Sequence, residues 1–219
     1  MRLSKLPLND RLKVCLDFSN TQDWHGSDHP IEKLNHYTDL IHWSQEEGIT
    51  NCSTTRSLLR IGEKDPSKAN LTLEEARSLR ESIYHVFSQI SHHRKPPQKD
   101  LALLNQNVSK ALSKLELICS ENKRKIVRPS VFLWHWKGHI GNDPDQILWA
   151  TSISAANLLV STQLAQVKEC ANESEGCGWL FIDESKSHSR RWCSMNSCGN
   201  RSKVRRFYNR QKLLRGKSV

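Results

Sequence analysis

The chain lacks any apolar run of about 18 residues, so no membrane-spanning helix is expected. Its first residues, MRLSKLPLNDRLKVCLDF, are interrupted by Lys5, Asn9, Asp10, Arg11 and Lys13, which argues against an apolar leader segment. It contains no P-loop, GxGxxG, GxSxG or HExxH pattern, and Asp17 and Asp23 do not suggest a catalytic carboxylate pair; an enzyme is the least expected class. Acidic residues are missing from the whole of the last 34 positions, which hold eleven Lys and Arg. The other 22 basic residues face all 23 acidic ones, so the net charge of +10 belongs entirely to the C-terminal segment. Such an asymmetry argues for a polyanion contacted by that segment.

What is present fits a soluble globular protein of 219 residues, long enough for a real core or for one larger domain plus a small module. Seven cysteines is an odd number, which does not suit a disulfide framework; a reducing cytoplasm with a metal site is the better reading. Cys15, Cys52 and Cys119 lie far apart and are expected to be small buried apolar residues. The other four form two short-spaced pairs, Cys170-x6-Cys177 and Cys193-x4-Cys198, fifteen residues apart. Two such pairs are what a tetrahedral thiolate site needs, and one structural Zn²⁺ with four protein ligands leaves no open position for a reacting water. His188 is a rival ligand in a polar turn.

The apolar pattern predicts a mostly helical body over residues 1–168 with a small β element, joined to a module over 169–219. Arg11–Trp24 fits either a strand or a helix. His36–Glu47 reads as a helix, Ser53–Arg60 as a short one, and 62–70 as a loop. A capping box at Thr72 and Glu75 opens a long helix ended by Pro96 and Pro97, and a second helix runs back from about Asp100 to Cys119. Val131–Trp136 is a strand whose partner is either Ile126–Arg128 or a segment beyond a turn at Gly138 and Gly141. Asp143 and Pro144 start a helix expected to continue to about Lys168. In the module, 178–183 reads as a strand and Arg190–Trp192 as its returning partner, with a helix after Cys198. That is a treble-clef-like layout. The basic cluster Lys123, Arg124, Lys125 and Arg128 reads as a solvated loop.

The tail helix would carry Arg201, Lys203, Arg205, Arg206, Arg210 and Lys212, with Arg201/Arg205 and Arg206/Arg210 as i,i+4 neighbours. Val204, Phe207, Tyr208 and Leu214 supply a packing side, and Arg190 and Arg191 extend the basic patch. These are the residues expected at nucleic acid, DNA foremost. Asp17, Asn20, Thr21 and Trp43 are candidates for lining a small-molecule effector pocket, although ties to backbone groups and core packing account for them as well.

The segment RRWCSMNSCGNRSK resembles the signature of the CGNR zinc-finger family. The resemblance runs through Cys170, Gly178, Trp179, Phe181, Asp183, Ser185, Arg190, Arg191, Trp192, Cys193, Met195, Cys198, Gly199, Asn200, Arg201 and Lys203. In that family the finger follows an N-terminal part called the ABATE domain, and Leu16, Asp17, Phe18, Asn20 and Thr21 (LDFSNT) resemble the opening LDFxNT motif of that domain. The departure is the first cysteine pair, which is usually spaced more closely than here; the loop ANESEG lengthens it. The resemblance implies a bacterial transcription regulator linked to stress responses that binds DNA through the finger. The N-terminal part would then sense an effector or mediate homo-oligomerisation. The alternatives are an RNA-binding or protein-interaction module, or a thiolate redox switch that loses zinc on oxidation.

Overall fold

The computed structural model describes residues 12–120, 131–137 and 143–215. The expected strand Ile126–Arg128, the basic cluster at 123–128 and the turn at Gly138 and Gly141 lie outside them. Among the described residues about 60% are helical, with small β hairpins, and no described helix is long and apolar enough to cross a membrane.

The ambiguous opening segment is a helix, α1 (Val14–Ser19), whose Phe18 and Leu16 are buried. The chain then forms a two-residue antiparallel bridge, β1 (Gln22–Asp23) with β2 (Ile31–Glu32). α2 (Tyr37–Glu46) begins as expected, with the Asp39 carboxylate accepting from the His36 N–H. α3 (Cys52–Lys64) is capped by Asn51, whose side chain accepts from the Ser53 and Thr54 N–H groups.

The expected loop at 62–70 is instead the end of α3 and the start of α4 (Pro66–Ser91). Asp65 accepts from the Lys68 N–H and Pro66 occupies the first turn, a stronger start signal than Thr72 with Glu75. Thr72 is therefore mid-helix and buried, donating to Asp145. Leu73, Ala76, Leu79, Ile83 and Phe87 of α4 form the spine of the core.

α5 (Gln98–Ser113) returns along α4 but stops six residues before the expected end. Residues Leu115–Ser120 form β3, which pairs antiparallel with β4 (Val131–Trp136), Leu115 opposite Trp136. The partner of β4 thus precedes it in the chain: the β-branched and aromatic side chains of this stretch pair across a hairpin instead of lengthening α5. α6 (Gln146–Leu159) is apolar on nearly every side, as a central helix must be. It ends short of Lys168 because the Ser161 hydroxyl turns back to the Leu158 carbonyl, and a 3-10 turn (Thr162–Gln166) leads into β5 (Val167–Glu169).

β5 pairs antiparallel with β6 (Leu180–Ile182), Val167 opposite Ile182. The returning strand expected at Arg190–Trp192 does not form. The buried Asp183 carboxylate gathers the Ser185 N–H and hydroxyl, the Arg190 N–H and the Lys168 ammonium, and so curls 184–190 into a loop. The hairpin therefore encloses the first cysteine pair, where the sequence suggested one between the pairs. After a π-type turn (Met195–Gly199), α7 (Asn200–Arg215) runs outward.

Candidate metal centre

Cys170 closes β5, and its N–H donates to the Trp179 carbonyl. The long ANESEG loop is an ordered turn: a 3-10 segment (Glu173–Glu175) closed by Gly176 at φ +66, with the buried Asn172 side chain donating to Glu175. Its extra length is folded away, and Cys177 returns beneath Cys170 through an N–H bond to the Asn172 carbonyl. Cys193 precedes the π-type turn and Cys198 lies within it; there the Gly199 N–H reaches back five residues to the Ser194 carbonyl. The Ala171 N–H donates to the Arg191 carbonyl and ties the second half to the first.

These turns bring all four Sγ atoms within 4.8 Å of one another. Cys177 to Cys193 is 3.8 Å, Cys193 to Cys198 is 3.6 Å and Cys198 to Cys177 is 3.6 Å. A disulfide requires about 2.05 Å, so these are free thiols. A regular tetrahedron with metal–sulfur bonds of about 2.3 Å has edges of about 3.8 Å. The donor set therefore fits a tetrahedral thiophilic cation in size as well as chemistry. The thiols of Cys177 and Cys193 bond to Cys170 Sγ and hold it far below the ordinary thiol range, while the same contacts push Cys177 and Cys193 up. Four thiolates this close need a cation between them. His188 is outside the cluster: its Nδ1 bonds to the Asp183 carbonyl at 2.8 Å.

The family comparisons agree with this geometry. Residues 12–162 match the ABATE model, described as "Putative stress-induced transcription regulator", and residues 166–211 match the CGNR zinc finger. The chain belongs to the ABATE family and ends in a CGNR zinc finger. No curated protein matches it.

The finger is built into the ABATE part. The Asn20 carboxamide exchanges two hydrogen bonds with the Leu180 backbone. The Gly26 N–H donates to the Gly176 carbonyl at 3.0 Å. Glu169, next to Cys170, accepts from the Tyr84 and Ser88 hydroxyls of α4, and Tyr84 stacks on the His25 ring at 3.6 Å. Trp24, Trp179 and Trp192 pack around the cysteines. The Arg201 guanidinium lies 4.9 Å from the centre of the Trp24 ring and pairs with Glu175. Trp24, Gly176, His25 and Glu169 were not singled out for this contact from the sequence; the local signal for it is the Gly-Cys-Gly triplet at 176–178, both of whose glycines have positive φ in the structure.

The expected basic residues divide into two groups. Lys203, Arg206, Arg210 and Lys212 are exposed on α7, as are Arg201 and Arg205. Arg190 is exposed as well, but its guanidinium lies over Phe181 and donates to the carbonyls of Trp192 and Cys193. Arg191 is exposed with its guanidinium near the Trp192 ring. The expected packing side of the tail is not packed: Val204, Phe207 and Tyr208 are exposed.

Of the four N-terminal candidates, Asn20 is spent on the finger seam. The Thr21 hydroxyl donates to the Phe18 carbonyl, and Trp43 packs on Phe18. Asp17 is half-buried; burial, then the nearby Glu47, raises its pKa to about 6. Cys15 is buried as expected, and burial pushes its thiol up to about 12, whereas Cys52 and Cys119 are exposed.

Proposed function

We propose that the protein is a DNA-binding regulator in which Cys170, Cys177, Cys193 and Cys198 hold one structural Zn²⁺ and α7 presents basic side chains to duplex DNA. The carrying observation is the four-sulfur cluster at the root of a helix whose remaining length stands in solvent with its cations exposed. When bound, the metal supplies a cross-link between the hairpin turn and the start of α7. The chain's own residues do the rest. Asp183 and Lys168 hold the loop between the cysteine pairs, Arg190 straps that loop to Cys193, and Trp24 with Glu175 positions Arg201 at the helix base.

The test is titration of the zinc-loaded full chain against duplex DNA and RNA at two salt concentrations. If about five phosphates are neutralised, log K falls against log salt with a slope of roughly −4.5. Charge reversal at Arg205, Arg206 and Arg210 abolishes binding while zinc content stays the same. Binding without salt dependence, or surviving that triple change, rules out α7 as the contact.

A further inference from the structure

The charge on α7 is arranged in two rows. With 3.6 residues per turn, Arg201, Arg205 and Lys212 lie along one flank, and Lys203, Arg206 and Arg210 along the other, roughly 150° round the helix. Ser202, the half-buried position, and Arg201, held by Trp24 and Glu175, mark the side turned to the finger, and Val204 sits at the open edge of the cleft beside Glu175. The opposite strip, between the rows, carries Val204, Phe207 and Gln211. Val204 is 54% exposed and Phe207 61%. An apolar strip bordered on both sides by cations is an unusual surface to leave in water. Like charges at i,i+4 within each row also repel one another.

A helix with its side chains is about 10–12 Å across, and the major groove of B-form DNA is about 12 Å wide. Two cationic flanks on such a helix match the two phosphate walls of that groove, and the strip between them meets its floor. The apolar feature of the floor is the thymine C5 methyl. The deep, narrow major groove of A-form RNA does not admit such a helix. Resting on the DNA-binding reading above, we propose that α7 lies in the major groove with Val204 and Phe207 as base-reading residues on thymine methyls. Arg205 and Lys212 then hold one phosphate strand, and Lys203, Arg206 and Arg210 the other, while Arg201 stays on Trp24 and Glu175 at the base of the helix.

The experiment uses the zinc-loaded full chain and a duplex selected from a random library, remade with deoxyuridine in place of thymidine. Loss of the methyls weakens wild-type binding about five- to tenfold, the scale of one lost base contact. The double variant Val204→Ala/Phe207→Ala shows no deoxyuridine loss, whereas Phe207→Ala alone weakens binding to the thymine duplex severalfold and shows a smaller deoxyuridine loss than the wild type. Phe207→Ala leaves the salt slope unaltered, whereas Arg206→Ala reduces the slope by about 0.9. Val204→Ala and Phe207→Leu serve as milder variants, with zinc content and helix signal as fold controls. Equal deoxyuridine losses in wild type and Phe207→Ala overturn the base-reading assignment, as does an unchanged selected sequence in Phe207→Ala. Binding to duplex RNA or single-stranded DNA as tight as to duplex DNA overturns the groove assignment. Failure of the wild type to bind any duplex DNA instead defeats the functional reading on which the inference rests.

Discussion

Asn20 and Leu180 are 160 positions apart and pair as two peptide groups would: the Asn20 Nδ2 donates to the Leu180 carbonyl at 2.9 Å, and the Leu180 N–H donates to Oδ1 at 3.0 Å. The carboxamide thereby joins α1 of the ABATE part to β6 of the finger. Because both backbone groups are buried, their partner cannot be replaced by water.

Asn20→Leu leaves the Leu180 N–H and carbonyl unpaired and is expected to cost about 2–3 kcal/mol, read as a lower urea midpoint of the full chain. A loss below about 0.5 kcal/mol would mean that the seam does not need this residue.

The two glycines of the Gly26–Gly176 contact should respond differently. A Cβ at Gly176 would lie 2.4 Å from the Ser27 nitrogen and 2.5 Å from the Gly26 carbonyl carbon, at φ +66. At Gly26 the nearest atoms are 3.6 Å away, an ordinary contact. Gly176→Ala is therefore expected to destabilise by about 3 kcal/mol or more and to speed zinc loss to a chelator, while Gly26→Ala stays within about 1 kcal/mol of wild type.

Metal removal should be visible in tryptophan fluorescence, because Trp24, Trp179 and Trp192 pack on the cysteines. A chelator is expected to release one zinc per chain, shift the emission and abolish DNA retention. Most of the helix signal should persist, since the main core is built chiefly from α1 to α6, with Val167, Leu180 and Ile182 of the finger's hairpin, and excludes the four cysteines. Cys193→Ser should reproduce the chelated state without chelator.

Arg80 is 2% exposed and donates to both carboxylate oxygens of Glu32 at 2.6 Å, with a further bond to Glu81. Arg80→Met takes the closest cation from two partly exposed acids, which keep only Arg77 and His25, and is expected to cost about 1–3 kcal/mol, measured by denaturant unfolding.

Asp17 gives the pH dependence an unusual sign for a carboxyl group. Burial, then Glu47, raises its pKa from 3.8 to about 6, so the fold favours the protonated form. Its stabilising contribution is complete below pH 3.8 and is lost as pH rises through about 6. Asp17→Asn is expected to remove this slope and to stabilise the protein at pH 7 by on the order of 1 kcal/mol, discounted because the group is partly exposed. Unfolding midpoints of both proteins at pH 4 and pH 7 check it.

The long helices were legible because their signals are local. The repeat of Leu73, Ala76, Leu79 and Ile83 lies within one segment, although the true start at Asp65–Pro66 was hidden in a stretch that reads as a loop. The strands were less so. The partner of β4 was sought at 126–128 or beyond Gly138, and that of β6 at 190–192, yet both lie upstream. A strand's period shows that it has a face, but not which neighbour satisfies its edge. Arg190 shows the same limit for charge: it is exposed like the arginines of α7, but its guanidinium also lies over Phe181 and bonds to two carbonyls, which its sequence context does not signal.

The sequence by itself determined the four cysteines of the centre, the confinement of net positive charge to the last 34 residues and the helical character of the body. Each follows from residue type and short-range spacing. Only the tertiary structure decided that the thiols converge to 3.6–3.8 Å, that the finger is fastened to the ABATE part through Asn20 and Gly26, and that α7 keeps Val204 and Phe207 in solvent. Those outcomes depend on which distant backbone groups and side chains meet when the core closes, and no pattern within one segment carries that information.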